Sequence, residues 1–193
     1  MFDTLRTRAK QTDLALYRAG SRPLPISPAI NTLTNAANHS KISMVWAAAL
    51  TLSGPRGRRA ALAGMASVAT ASLFANAVAK PVAHRRRPLR ADDHHAAPPG
   101  EVPVNMPTST SMPSGHTASA VAFAVGVGQQ WPAMGTAAGA VAALVGFSRV
   151  HAGVHYPGDV AIGALIGAGC GAAAGPLAVR LVDRSRFAHL ITP

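Results

Sequence analysis

Apolar residues in this chain form long runs that no charged residue interrupts. Residues 60–79, 117–148 and 160–179 contain no Asp, Glu, Lys or Arg. A run of about 20 such residues is long enough to cross a bilayer as a helix. The pattern therefore predicts an all-α fold, an integral membrane helical bundle.

Prolines, glycines and charges divide the apolar part of the chain into about five transmembrane helices. The first is short, and a basic turn at residues 54–59 separates it from the second. The fourth span begins at Pro132, directly after the third. We place the spans at residues 41–55, 60–80, 113–131, 132–149 and 158–182. Residues 41–184 then form a membrane-embedded core, followed by a short tail at 185–193.

Residues 1–40 precede this core and differ from it in composition. Basic and apolar residues intermingle over residues 1–22, which favours a basic amphipathic helix lying on the membrane surface. A solvated helix is the alternative interpretation. A run with prolines at residues 23–28 ends this helix, and residues 29–40 follow as a short interfacial helix or loop. The whole segment is predicted to be interfacial.

The composition supports a membrane protein. Hydrophobic residues make up 49% of the chain and charged residues 13%, against about 25% charged in a soluble domain. The net charge of +11 does not indicate nucleic acid binding, because the basic residues cluster beside the spans, where anionic lipids and topology explain them. The single cysteine, Cys170, excludes an intrachain disulfide. Two small-residue pairs, Gly135 with Gly139 and Gly163 with Gly167, suit close helix packing or arise by chance.

The distribution of basic residues orients the bundle. Those at 56–59 and 180–186 fall on one side of a five-span arrangement, and the positive-inside rule makes that side cytoplasmic. The loops at 81–112 and 149–158 then share the extracytoplasmic face. A basic run at residues 84–87 breaks the rule there, which is expected if its arginines serve chemistry.

Pro113, Ser114, Gly115 and His116 begin the third span. Proline fits the first turn of a helix, and the free N–H groups of that turn attract anions. Gly115 lets a phosphate approach the backbone, and His116 is placed to protonate a leaving oxygen. The alternative is an ordinary serine-capped helix with a structural histidine.

A second motif runs from Ser148 to Asp159. Arg149 can hold phosphate oxygens in a bidentate fork. His155 and Asp159 lie four residues apart, so the carboxylate can fix the imidazole tautomer and leave the other nitrogen as a nucleophile. An isolated acid at the start of a membrane helix also indicates function. His151 competes with His155 but has no carboxylate four residues on, so we interpret it as structural.

Lys80 and Arg87, the latter followed by Pro88, add two cations. Juxtamembrane charge is the alternative explanation, and it is the one we give to three further arginines, Arg85, Arg86 and Arg90. The loop histidines, His84, His94 and His95, are predicted to be solvated. Every motif begins or ends a span on the same face, so the three motifs can converge.

These residues resemble the signature of the type 2 phosphatidic acid phosphatase superfamily, K-x6-R-P, P-S-G-H and S-R-x5-H-x3-D, and all three parts are intact. The resemblance implies that five residues bind phosphate: Lys80, Arg87, Ser114, Gly115 and Arg149. His155 would form a phosphohistidine and Asp159 would orient it. His116 would protonate the leaving group and then activate water. The resemblance also implies that the reaction needs no metal and no cofactor.

The resemblance implies a membrane lipid phosphatase of the bacterial plasma membrane, acting on a phosphomonoester or diphosphate of a lipid. Polyprenyl phosphates and phospholipids are the expected substrates, with phosphatidic acid and phosphatidylglycerol phosphate as specific alternatives. Bacterial relatives commonly have six spans, one more than predicted here. A vanadium haloperoxidase-like enzyme and an inactive lipid-binding relative are the other hypotheses. No feature indicates an oligomeric state.

Overall fold

The computed structural model describes residues 2–22, 24–88 and 108–185, and these residues form helices and connecting turns without a strand. The all-α prediction is confirmed. In chain order the helices are α1 (Phe2–Gly20), α2 (Ser27–Ala36), α3 (Lys41–Leu52), α4 (Pro55–Val82), α5 (Gly115–Gln130), α6 (Pro132–His151) and α7 (Pro157–Asp183).

Local sequence explains where these helices begin. Prolines occupy the first turns of α4, α6 and α7, where the missing N–H is not needed. Ser114 caps α5, because its Oγ accepts from the backbone N–H of Thr117 at 3.4 Å. Gly54, at φ 88°, supplies the left-handed turn between α3 and α4.

Three of the described helices, α4, α6 and α7, are long and apolar enough to cross a membrane. The other two predicted spans correspond to α3 and α5, which have 12 and 16 residues. Both are shorter than the roughly 20 residues that a bilayer requires. The count of five full spans is therefore not confirmed, although each predicted span coincides with a helix.

Helix α4 changes its winding near its end. Residues Phe74–Ala79 form a π-helical segment immediately before Lys80, and the helix then continues to Val82. Such wider turns are rare in proteins, and those that occur are often found at functional sites. The segment lies at the end of α4 that carries the first signature residue.

Helix α5 lies at the centre of the bundle and packs against α4, α6 and α7. A core cluster between α3, α4, α5 and α6 consists mainly of alanines, and its larger buried members are Leu50, Val68, Phe123 and Val127. Small residues allow backbones to approach closely, which is how helices associate in lipid. Position 163 illustrates this, because a Cβ on Gly163 would lie 2.5 Å from the carbonyl oxygen of Ser114.

The two predicted glycine pairs have different outcomes. A Cβ at Gly167 would collide with the carbonyl oxygen of Ala118, and one at Gly135 would collide with Gly128. A Cβ at Gly139 would meet no atom within 4 Å. Close packing therefore explains three of the four glycines and not Gly139.

Helices α1 and α2 pack against α6, and α1 also contacts α7. His151, at the end of α6, contacts the segment that joins α1 to α2. Its Nδ1 donates to the carbonyl oxygen of Gly20 at 3.0 Å. Its Nε2 lies 2.8 Å from Ser27 Oγ, which can donate to it. These contacts agree with the structural role expected of His151.

We predict that Gly167→Val destabilises the bundle by about 1–3 kcal/mol, because the added side chain forces α5 and α7 apart. Gly139→Val is the matched control, since the same substitution there enters open space. Thermal unfolding in detergent would compare the two variants. Equal midpoints would contradict the assigned helix contact.

Candidate active site

The signature residues meet where α4 and α6 end and α5 and α7 begin. Gly153, at φ 68°, turns the chain after α6. The turn brings two backbone N–H groups, those of Val154 and His155, to the carbonyl oxygen of Arg149 at 3.2 and 3.1 Å. The N–H of Ser114 donates to the carbonyl oxygen of Asp159 at 3.0 Å, which joins the starts of α5 and α7.

His155 is 2% exposed, and its Nε2 lies 3.1 Å from Nη1 of Arg87. A guanidinium group can only donate, so this nitrogen of the imidazole must carry its lone pair. The proton then resides on Nδ1. Burial lowers the pKa of His155 to about 4, and the neighbouring Arg87 and Arg149 act in the same direction against the opposing effect of Asp159. The ring is therefore neutral at pH 7.

Asp159 lies beside the protonated nitrogen and is fully buried. Its Oδ2 is 3.6 Å from His155 Nδ1 and accepts from the Tyr156 N–H at 2.9 Å. Its Oδ1 accepts from Arg85 at 3.0 Å. The carboxylate thus faces the imidazole, but at 3.6 Å the expected hydrogen bond is not formed, and His155 Nδ1 has no hydrogen-bond partner among the described residues.

Two buried guanidinium groups flank the nucleophile candidate. Arg87 donates to the carbonyl oxygens of Ser109, Thr110 and Val154 at 2.9–3.1 Å. Arg149 donates from Nη1 to the carbonyl oxygen of Thr34 at 3.2 Å. Its Nε and Nη2 are buried without a partner among the described residues. Buried donors of a cation left unsatisfied are costly, so this group is suited to an anionic ligand.

The other signature residues surround the start of α5. The Lys80 ammonium group donates to Asn76 Oδ1 at 2.8 Å and lies 3.8 Å from where a Cβ of Gly115 would be. Ser114 is buried and uses its hydroxyl to cap the helix. His116 is half-buried, and its Nε2 lies 2.8 Å from Asn38 Oδ1.

Arg85 is a site residue that sequence reasoning missed. We assigned it to juxtamembrane charge, yet it bonds Asp159, and its guanidinium carbon lies 3.8 Å from the centre of the Tyr156 ring. A signal was present, since Arg85 lies only two residues before the signature residue Arg87. Arg86 and His84 are exposed, as predicted. Arg90, His94 and His95 lie outside the described residues.

Comparison with known proteins assigns the family. Residues 60–183, more than half of the chain, match the model of the PAP2 superfamily. The chain belongs to the PAP2 superfamily. This confirms the resemblance drawn from the three signature motifs, and with the apolar helices it makes the chain a helical membrane protein of this superfamily.

Individual relatives agree with this assignment. The chain is 37% identical over 123 residues to decaprenylphosphoryl-5-phosphoribose phosphatase of Mycobacterium tuberculosis. That match covers 61% of each protein, so the aligned part is less than two thirds of the relative's length.

Two solved structures share the fold. LpxE of Aquifex aeolicus superposes with a TM-score of 0.63 at 22% identity, covering 86% of this chain and 94% of LpxE. A transmembrane PAP2-type phosphatidylglycerolphosphate phosphatase from Bacillus subtilis gives 0.64 at 22% identity, covering 93% of this chain and 89% of that one.

We predict that Arg149→Lys weakens binding of inorganic phosphate about tenfold or more, because an ammonium group cannot reproduce the forked N–H donors. Phosphate should raise the unfolding midpoint of the parent protein by mass action and raise that of the variant less. Arg180→Lys, at an exposed position on the distal part of α7, is the control. Equal phosphate-induced shifts in all three proteins would contradict a phosphate site at Arg149.

Proposed function

We propose that the protein is a membrane lipid phosphatase that hydrolyses a phosphomonoester or diphosphate of a lipid through a phosphohistidine. The contact between Arg87 Nη1 and His155 Nε2 carries this proposal. It requires a lone pair on a buried, neutral imidazole nitrogen, directly beside guanidinium groups that can bind phosphate.

In the first step the phosphate binds between Arg87, Arg149, Lys80 and the N–H groups at the start of α5. Its oxygens replace His155 as the ligand of Arg87 Nη1, which frees the lone pair on Nε2. This nitrogen forms a bond to phosphorus while the bond from phosphorus to the leaving oxygen breaks. His116 gives a proton to that oxygen. The cations stabilise the charge on the transferring phosphoryl group.

In the second step water attacks the phosphohistidine. His116, now deprotonated, takes a proton from the water. The bond between phosphorus and nitrogen breaks, and its electron pair returns to His155 Nε2. Asp159 faces the opposite side of the ring, where it balances the positive charge of the phosphorylated imidazole. Every proton and charge in the cycle is accommodated by side chains, so we propose that the reaction needs no metal and no cofactor.

A lipid-linked phosphosugar is the substrate class that we favour. The relative with 37% identity is named for decaprenylphosphoryl-5-phosphoribose, a polyprenyl-linked sugar phosphate. The site lies at the ends of apolar helices, where a lipid anchor can remain in the bilayer while its phosphate reaches the arginines. Phosphatidic acid and phosphatidylglycerol phosphate are the alternatives, the latter being named for the structural neighbour from Bacillus subtilis.

We also propose that the site faces the extracytoplasmic side of a bacterial plasma membrane. Arg59, near the start of α4, forms two hydrogen bonds of 2.7 Å with Asp183 at the end of α7. The helix ends carrying the basic clusters therefore lie together, at the end of the bundle opposite to the site. The positive-inside rule supports a cytoplasmic location for that end.

We predict that His155→Ala lowers phosphate release by at least about a thousandfold, because the nucleophile is lost. His84→Ala, at an exposed loop position, should retain activity. Release would be measured in detergent, and a substrate with labelled phosphate would reveal the acid-labile phosphoenzyme. A phosphoenzyme in His155→Ala would contradict the proposed nucleophile.

We further predict that a polyprenyl-phosphoryl sugar phosphate gives the highest kcat/KM in a panel of lipid phosphates. The other members of the panel would be a polyprenyl diphosphate, phosphatidic acid and phosphatidylglycerol phosphate. A higher kcat/KM for either phospholipid would replace the favoured substrate class by that phospholipid. No release from any member of the panel would contradict the lipid phosphatase itself.

A further inference from the structure

Asp13 of α1 reaches the catalytic region from the opposite end of the sequence. Its Oδ2 accepts from Arg85 Nη2 at 2.6 Å, and its Oδ1 accepts from the Gly158 N–H at 2.7 Å. The side chain is only 15% exposed, which strengthens both contacts relative to a surface pair. Asp13 is the acid that α1 brings to the start of α7.

The contacts of Asp13 close a ring that includes Asp159. Arg85 binds Asp159 through one nitrogen and Asp13 through the other, while Asp13 holds the first turn of α7, on which Asp159 lies. Arg85 is thus shared between two carboxylates. Without Asp13, its whole charge and both its nitrogens would be directed at Asp159. The carboxylate would then be drawn away from His155 Nδ1, from which it is already 3.6 Å distant.

Asn38 contacts the second histidine of the site, His116, directly. Its Oδ1 accepts from His116 Nε2 at 2.8 Å, so that nitrogen carries a proton. In the imidazolium form, which the acid step requires, the second proton is on Nδ1 and is the one given to the leaving group. Two consecutive residues after it, His39 and Ser40, have φ values of 57° and 56° although neither is glycine. Such residues cost of order 1–3 kcal/mol each and cluster at functional sites. This turn directs Asn38 toward α5.

We propose that Asp13 and Asn38 are positioning residues for the two catalytic histidines. Asp13 acts through Arg85 to keep Asp159 behind His155, and Asn38 fixes the proton on Nε2 of His116. The proposal rests on the function proposed above. It makes residues 1–40 a working part of the active site rather than a separate interfacial segment.

The role of Asp13 is tested with Asp13→Asn. We expect kcat to fall about tenfold while KM changes less than twofold, because misplaced catalytic groups impair the chemical step rather than binding. The matched control is Asp183→Asn, which breaks the ion pair with Arg59 at the other end of the bundle. This control should keep the parent kcat.

A double-mutant cycle separates positioning from general destabilisation. Asp13→Asn combined with Arg85→Gln removes the unbalanced cation together with its partner, so the double variant should lose no more kcat than the worse single variant. Multiplicative losses in the double variant, or a kcat for Asp13→Asn equal to that of Asp183→Asn, would overturn the role of Asp13.

The role of Asn38 is tested by the dependence on the leaving group. Asn38→Ala should slow phosphoenzyme formation from an alkyl phosphate about tenfold, because the alkoxide must be protonated as it departs. The burst of nitrophenol from p-nitrophenyl phosphate should change less than twofold, since nitrophenolate leaves without a proton. Asn38→Asp keeps an acceptor oxygen and should restore the alkyl reaction. Equal losses with both substrates, or no loss with either, would overturn the role of Asn38.

The parent protein distinguishes the two levels of the proposal. If it forms no phosphoenzyme from the alkyl or the aryl phosphate, the proposed phosphatase mechanism is wrong. If it forms one and both variants match Asp183→Asn, the mechanism stands and the positioning roles alone are wrong.

Discussion

The burial of Arg149 is the constraint around which the site is organised. This residue is 0% exposed and lies in the last turn of α6, where the helix dipole favours a cation. Its carbonyl oxygen accepts hydrogen bonds from the N–H groups of the loop that carries His155. Its side chain donates to the carbonyl oxygen of Thr34 in α2. A cation held so far from water is costly unless an anion accompanies it. The fold therefore favours an anion beside Arg149 before any ligand binds.

The packing of α7 against α5 fixes the geometry of the other side of the site. The close contact of Gly163 with Ser114 brings the start of α7 against the start of α5. That approach allows the Ser114 N–H to reach the carbonyl oxygen of Asp159. The distance between the start of α5 and the carboxylate behind His155 is consequently set by the close helix contact at Gly163. Stability and the geometry of the candidate site depend on the same interface.

Much of this arrangement could be predicted from local spacing. His155 and Asp159 are four residues apart, and Ser114 and His116 begin a helix, so short-range geometry alone brings each pair to one place. The contacts of Asp13 could not be predicted in this way, because 72 residues separate it from Arg85 and no repeating pattern connects them. Arg85 was misassigned for the same reason, since its role depends on a partner from another helix. The number of full spans stays a prediction, because hydropathy alone does not show that α3 and α5 have only 12 and 16 residues.

The first 40 residues contribute hydrogen-bond acceptors that the family-matched segment does not contain. The family match begins at residue 60, whereas Asp13, Thr34 and Asn38 all precede it. A chain shortened to the matched residues would keep Arg85, Arg149 and His116 but would lose an acceptor that each of them contacts. The matched segment is therefore not a self-sufficient structural unit.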